Sequence, residues 1–182
     1  MRKIGSIVAL LAIVYSYSGC KKLKEKFTEF DIPVSGVYPV PIDSVLGVMK
    51  TYTTIDFQTT LDDELLKRNS SKNLIESGKL THMEMNIIRY DTSVKTQYGF
   101  IEEIKVYIDA DGLGKTFVGA KSPVPSNAGL QVVFDIDDVE LKEYLKRESF
   151  RLIIETILRE PIKQITPMQF KSNYHIRAKL LK

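Results

Sequence analysis

From residue 27 to the C-terminus, apolar and polar residues repeatedly alternate with a period of two, the pattern of a strand with one wet face. The clearest case is "MQFKSNYHIRAK" near the end of the chain. There Met168, Phe170, Ser172, Tyr174, Ile176 and Ala178 fall on one side, and Gln169, Lys171, Asn173, His175, Arg177 and Lys179 on the other. One face is expected to be core and the other water. "FDIPV" puts Phe30, Ile32 and Val34 together, and the prolines of "GVYPVP" suit an edge. A β-branched and aromatic stretch predicts a strand over Tyr52 to Thr59. "THMEMNI" sets Thr81, Met83, Met85 and Ile87 against His82, Glu84 and Asn86.

Two further strands are predicted at Ile104 to Asp109 and Lys115 to Ala120, joined by a turn on Asp111-Gly112 and Gly114. "LQVVFDI" reads as another, and two strands close the chain. Helical spacing occurs twice. Thr60 stands as N-cap ahead of Leu61, Leu65 and Leu66, with Asp63 three residues on, and Asp138 as N-cap ahead of Leu141, Tyr144 and Leu145. Roughly eight or nine strands with two short connecting helices, and no helix-strand-helix rhythm, define an all-β domain. The expected architecture is a single β-sandwich with immunoglobulin-like or jelly-roll connectivity. A β-barrel is the alternative that periodicity leaves open.

The first 19 residues break this pattern. Arg2 and Lys3 form a positive start, "IGSIVALLAIVY" is an apolar run, and "SYSGC" ends in small residues before Cys20. The run falls short of the roughly 20 residues that span hydrocarbon, so it reads as a secretion signal. Tyr17-Ser18-Gly19-Cys20 resembles the lipobox of bacterial lipoproteins. In that family small residues precede a cysteine that is acylated and becomes the first residue of the mature chain. The family usually has Leu where this chain has Tyr17, and the match is similar to the relaxed lipoboxes of Bacteroidota-type lipoproteins. The resemblance implies lipidation at Cys20, a bilayer as partner, and a cell-envelope address, with the periplasmic side of the outer membrane favoured. Two or more acyl chains, each contributing about 0.8 kcal/mol per buried methylene, hold a protein firmly. The expected organisation is a signal peptide over 1–19, a lipidated basic linker over 20–26 carrying Lys21, Lys22, Lys24 and Lys26, and a sandwich over 27–182. The run from "FDIPVSG" to the last strand is likewise similar to small Bacteroidota-type β-sandwich lipoproteins of unassigned function.

Charge changes the picture little. The formal net charge is +3, from 26 basic and 23 acidic residues, and loss of Arg2 and Lys3 with the leader leaves about +1, giving no footprint for nucleic acid. The chain has one cysteine, which excludes an intrachain disulfide.

Candidate chemistry is sparse. The sequence holds no G-x-S-x-G elbow, H-E-x-x-H, P-loop or dinucleotide fingerprint, and implies no cofactor. His82 and His175 fall on polar strand faces. "HMEM" offers soft ligands, but Met83 and Met85 point opposite to His82 and Glu84 and are expected in the core. Ser70 and Lys72 could pair a hydroxyl with an amine, though such residues are common in loops. Asp109, Asp111, Asp135 and Asp137 end two strands with one returning strand between them, and in an up-down-up arrangement both ends would reach the same rim and surround a calcium ion. The competing reading makes them turn and cap residues. With no tryptophan, a sugar-stacking face would fall to Tyr38, Tyr52, Tyr98 and Tyr107. The expected function is a non-enzymatic binding or accessory module with an envelope protein or glycan partner. A structural part in a surface assembly is the alternative, and an enzyme or cation-binding protein ranks below both.

Overall fold

The computed structural model describes residues 29–54, 56–58, 60–89 and 97–181. The leader, Cys20 and the lysine linker lie outside them. Within the described residues the alternating stretches form ten strands. Five are long: β1 (Glu29–Val40), β4 (Ile75–Ile87), β5 (Ile101–Ala110), β9 (Ser149–Leu158) and β10 (Thr166–Ala178). β2 (Met49–Thr53) and β6 (Gly114–Lys121) are shorter, and β3 (Phe57–Gln58), β7 (Gln131–Val133) and β8 (Asp135–Ile136) are fragments. One sheet runs β1-β10-β4-β7 and the other β2-β9-β5-β6-β8, with β3 pairing β9 beside β2. Every pairing is antiparallel, and the sheets do not join into a barrel.

The pairs β1·β10, β2·β9, β4·β7 and β5·β6 are nested, as in one long hairpin rolled over itself. That is jelly-roll connectivity, the second of the two the sequence left open. The core lies between the sheets. Phe30, Ile32 and Val34 of β1, Met83, Met85 and Ile87 of β4, and the predicted inward set of β10 are all buried. They face Ile104, Val106 and Ile108 of β5 and Phe150, Leu152 and Ile154 of β9. The Phe150 and Tyr174 rings meet edge to face across the sheets at 5.8 Å. A Cβ at Gly36 would overlap the Phe57 ring, so β1 needs glycine where β3 packs against it.

Several local expectations shift. The strand placed at Tyr52 to Thr59 starts earlier, at Met49, and breaks at Thr54. There the Thr54 N–H donates to Leu152 O and the Thr54 hydroxyl accepts from Leu152 N–H, both at 2.9 Å. Thr81 is exposed although it shares the phase of Met83, because a bulge opposite Asn173/Tyr174 inserts it as an extra residue between His82 and Leu80. "LQVVFDI" is two fragments: β7 pairs β4 in one sheet, Phe134 turns into the core, and β8 pairs β6 in the other.

The helices are α1 (Leu61–Lys67) and α2 (Lys142–Leu145). Leu61 and Leu65 are buried, but Leu66 is 70% exposed, since one residue further turns the side chain by about 100°. Thr60 sits at the cap position without a side-chain cap bond, and Asp62, Asp63 and Glu64 offset the first-turn N–H groups instead. Asp138 does not cap α2. It is exposed and pairs with Lys79 at 2.6 Å. Leu141 stands at the cap position, and Glu140 just ahead of it accepts from Lys142 N–H at 3.0 Å and from Gly78 N–H at 2.7 Å.

Candidate functional site

The nested pairing sends the segments 41–48, 122–130 and 159–165 and the turn Tyr98–Phe100 to the same end of the sandwich. Val40 is opposite Thr166 there, and Val124 N–H donates to Glu102 O at 2.8 Å. Glu29, where the described chain begins, is opposite Arg177 at the other end.

Two polar residues assemble the loop end. Asp43 exchanges backbone hydrogen bonds with Ile162 at 3.0 and 2.7 Å, tying segment 41–48 to segment 159–165. Its carboxylate accepts from Lys50 Nζ, from the Tyr52 hydroxyl at 2.5 Å and from Val45 N–H at 2.9 Å. The Lys50 bond, then those of Tyr52 and Val45, hold the Asp43 carboxyl down at about 2. Burial, then the bond to Asp43, pushes the Tyr52 phenol up. The second is Arg159, whose guanidinium donates to Gly99 O at 2.9 Å, Ile101 O at 3.0 Å and Val124 O at 3.3 Å. It draws two segments distant in sequence onto the end of β9. A Cβ at Gly99 would overlap the Ser126 carbonyl oxygen, so this approach requires glycine.

Between the tied segments lies an open cleft of about 490 Å³, lined among others by Gln97, Gly99, Phe100, Ser126, Glu160 and Lys163. Beside it segment 41–48 exposes apolar side chains. Ile42 is 63% exposed, Val45, Leu46 and Val48 are also exposed, and Ile165 from the neighbouring segment is 62% exposed. Surface apolar residues gathered in this way mark interaction sites more often than singly scattered ones do.

The residues singled out from the sequence are placed otherwise. Asp109 and Asp111 both pair with Arg151, at 2.6 and 3.1 Å, while Asp135 pairs with Lys121 at 3.2 Å. In β6, Asp109 is opposite Lys115 but Asp135 is opposite Ala120, so the register sets them about 16 Å apart along the strands. Asp137 follows β8 directly. Among the described residues no three His, Cys, Asp or Glu side chains come together as a metal cluster. Met83 and Met85 are core residues, while His82 turns outward to Glu84 at 3.2 Å and His175 to Asp31 at 2.8 Å. Ser70 is buried and donates to Lys179 O at 2.6 Å, whereas Lys72 pairs with Asp62, so the two form no dyad. Tyr98 is fully buried, stacked on Phe100, and offers no ring to a sugar. Tyr107 is half-buried, its ring edge-on to Phe117 at 5.5 Å and covered by Lys115 Nζ at 4.4 Å.

Neither Asp43 nor Arg159 stood out in the sequence. One signal was present: residues 41–48 fit no strand or helix pattern yet carry four large apolar side chains, unusual in a solvated loop.

No protein-family model matches the chain, and no curated protein does. Among solved structures it is similar to FlhE, with a TM-score of 0.36 and 10% identity over 82% of this chain and 98% of that one. Cocksfoot mottle virus gives a TM-score of 0.32 and 8% identity over 85% and 86% of the two chains. Turnip yellow mosaic virus gives 0.32 and 9% over 85% and 97%. Likeness at this level says nothing about what the chain binds. The fold itself defines an all-β jelly-roll sandwich with an elaborated loop end.

Proposed function

We propose that this chain is an envelope lipoprotein, anchored through acylated Cys20, that works as a non-enzymatic binding module and engages a protein partner through the loop end of its sandwich. The observation that carries this reading is the placement of two features at opposite ends of β1. The chain enters at Glu29, and twelve residues later, about 40 Å away, it reaches the exposed apolar segment and the cleft. A tether ahead of Glu29 would leave that end facing away from the bilayer. A protein partner suits it better than a glycan, because the exposed apolar side chains described there, Ile42, Val45, Leu46, Val48 and Ile165, are aliphatic, while the nearby Tyr38 and Tyr52 are half-buried.

The test has two arms. Cys20→Ala should move the protein out of the detergent phase or leave it unprocessed; a variant that partitions and migrates like the parent refutes the anchor. A photo-cross-linking residue at Leu46 should capture an envelope protein that one at Leu181, at the opposite end, does not. Equal capture from both positions, or none from Leu46, refutes the docking end.

A further inference from the structure

The four sheet edges differ in how they are protected. β1 is long, but Pro33 and Pro39 lie opposite Asn173 and Pro167, and a proline in a ladder must turn its nitrogen away from its partner strand. Both therefore remove donors from the outer edge of β1, which is blunted against a further strand. β7 and β8 have only three and two residues. β2 is different. "MKTYT" has five residues, no proline and no glycine, and is rich in β-formers. Its one charged side chain, Lys50, is tied to Asp43.

The register shows which groups the β2 edge offers. Thr54 N–H donates to Leu152 O, so even positions carry the ladder to β9 and odd positions turn outward. Met49, Thr51 and Thr53 thus direct their N–H and C=O groups away from β9, and all three are exposed. We infer that this edge pairs with the same edge of a second copy, antiparallel about a twofold axis at Thr51. In that register Thr51 faces the partner's Thr51, and Met49 faces the partner's Thr53 on each side of the axis. All three outward residues then form hydrogen-bonded pairs. Thr–Thr is a favourable cross-strand pair, and Lys50 stands opposite the partner's Tyr52, so no like charges meet. Moving the axis to Lys50 would set the two lysines face to face and leave Thr53 unpaired. Moving it to Tyr52 would leave Met49 unpaired. The strand is self-complementary in one register only, as a twofold contact requires. An extended segment of another protein could use the same groups, but nothing in the strand selects one. The pairing does not depend on the lipid anchor or on the loop-end partner.

A ladder this short buries less than the roughly 800 Å² per partner of a standard interface, so a weak dimer is expected, with a Kd of about 10 to 100 µM. Sedimentation of the full chain in detergent, from about 1 to 500 µM, should show that equilibrium. Thr51→Pro removes only the outward donor, as Pro33 does in β1, and should leave a monomer with an unchanged circular dichroism spectrum. Thr51→Lys and Thr51→Glu should each weaken self-association by about tenfold or more, and mixing the two should restore it, since opposite charges then face each other. A parent that stays monomeric throughout, or a dimer whose strength ignores all three substitutions, overturns the inference. Failure of the Lys and Glu variants to associate when mixed also overturns it, even if each alone is monomeric.

Discussion

Replacing Arg159 should loosen the whole loop end at once. Its guanidinium holds three carbonyls from two segments, two at 2.9 and 3.0 Å and one longer at 3.3 Å. Arg159 is half-buried, so each good bond from this charged donor is worth about 1 to 1.5 kcal/mol net, and the third less. Losing them leaves the carbonyls of Gly99, Ile101 and Val124 short of a donor, for a total of about 2 to 4 kcal/mol. Arg159→Met keeps most of the aliphatic packing and isolates the hydrogen-bonding part. Arg159→Lys should recover only a minor share, because an ammonium cannot reproduce the fixed fork that spans the two segments. Denaturant midpoints at constant slope give the global figure. Amide exchange supplies the local one, with protection falling first in residues 97–101 and 122–126. If Arg159→Met unfolds within about 0.5 kcal/mol of the parent, or if exchange rises uniformly, the guanidinium is not what assembles this end.

Two further outcomes follow from burial and charge. Phe170→Ala, at a side chain 2% exposed in the middle of β10, should cost about 3 to 5 kcal/mol, whereas the adjacent Lys171→Ala should stay within about 0.5 kcal/mol despite its 3.5 Å pair with Glu84; midpoints in the reverse order would mean the strand faces are inverted. The Asp43 carboxyl is lowered from 3.8 to about 2, so its contribution is fully present above roughly pH 4 and is lost as pH falls towards 2. The parent should therefore lose stability over that window more steeply than Asp43→Asn, and parallel acid profiles for the two would remove Asp43 from the account.

Much of the sandwich was legible from neighbouring residues alone. Each β10 side chain is buried or wet according to its parity, because a strand hands successive residues to opposite faces whatever its neighbours are. The same local rule put Met83 and Met85 in the core and turned His82 and Glu84 away from them. It also located the turn between β5 and β6 at Asp111-Gly112, where Gly112 takes a positive φ of 80°. Whatever depended on which strand lies beside which was not legible. Parity cannot see the bulge that exposes Thr81, since that extra residue is defined only against Asn173 and Tyr174, over ninety positions away. Nor can it divide "LQVVFDI" between two sheets, or tell that Asp135 opposes Ala120 instead of the row of Asp109. Arg159 shows no pattern in sequence because its three acceptors are backbone carbonyls, a partner any residue type can supply. Burial by alternation is a property of a few consecutive residues. The loop-end cleft and the outer edge of β2 come from nested pairings between distant segments, and only the folded chain brings those together.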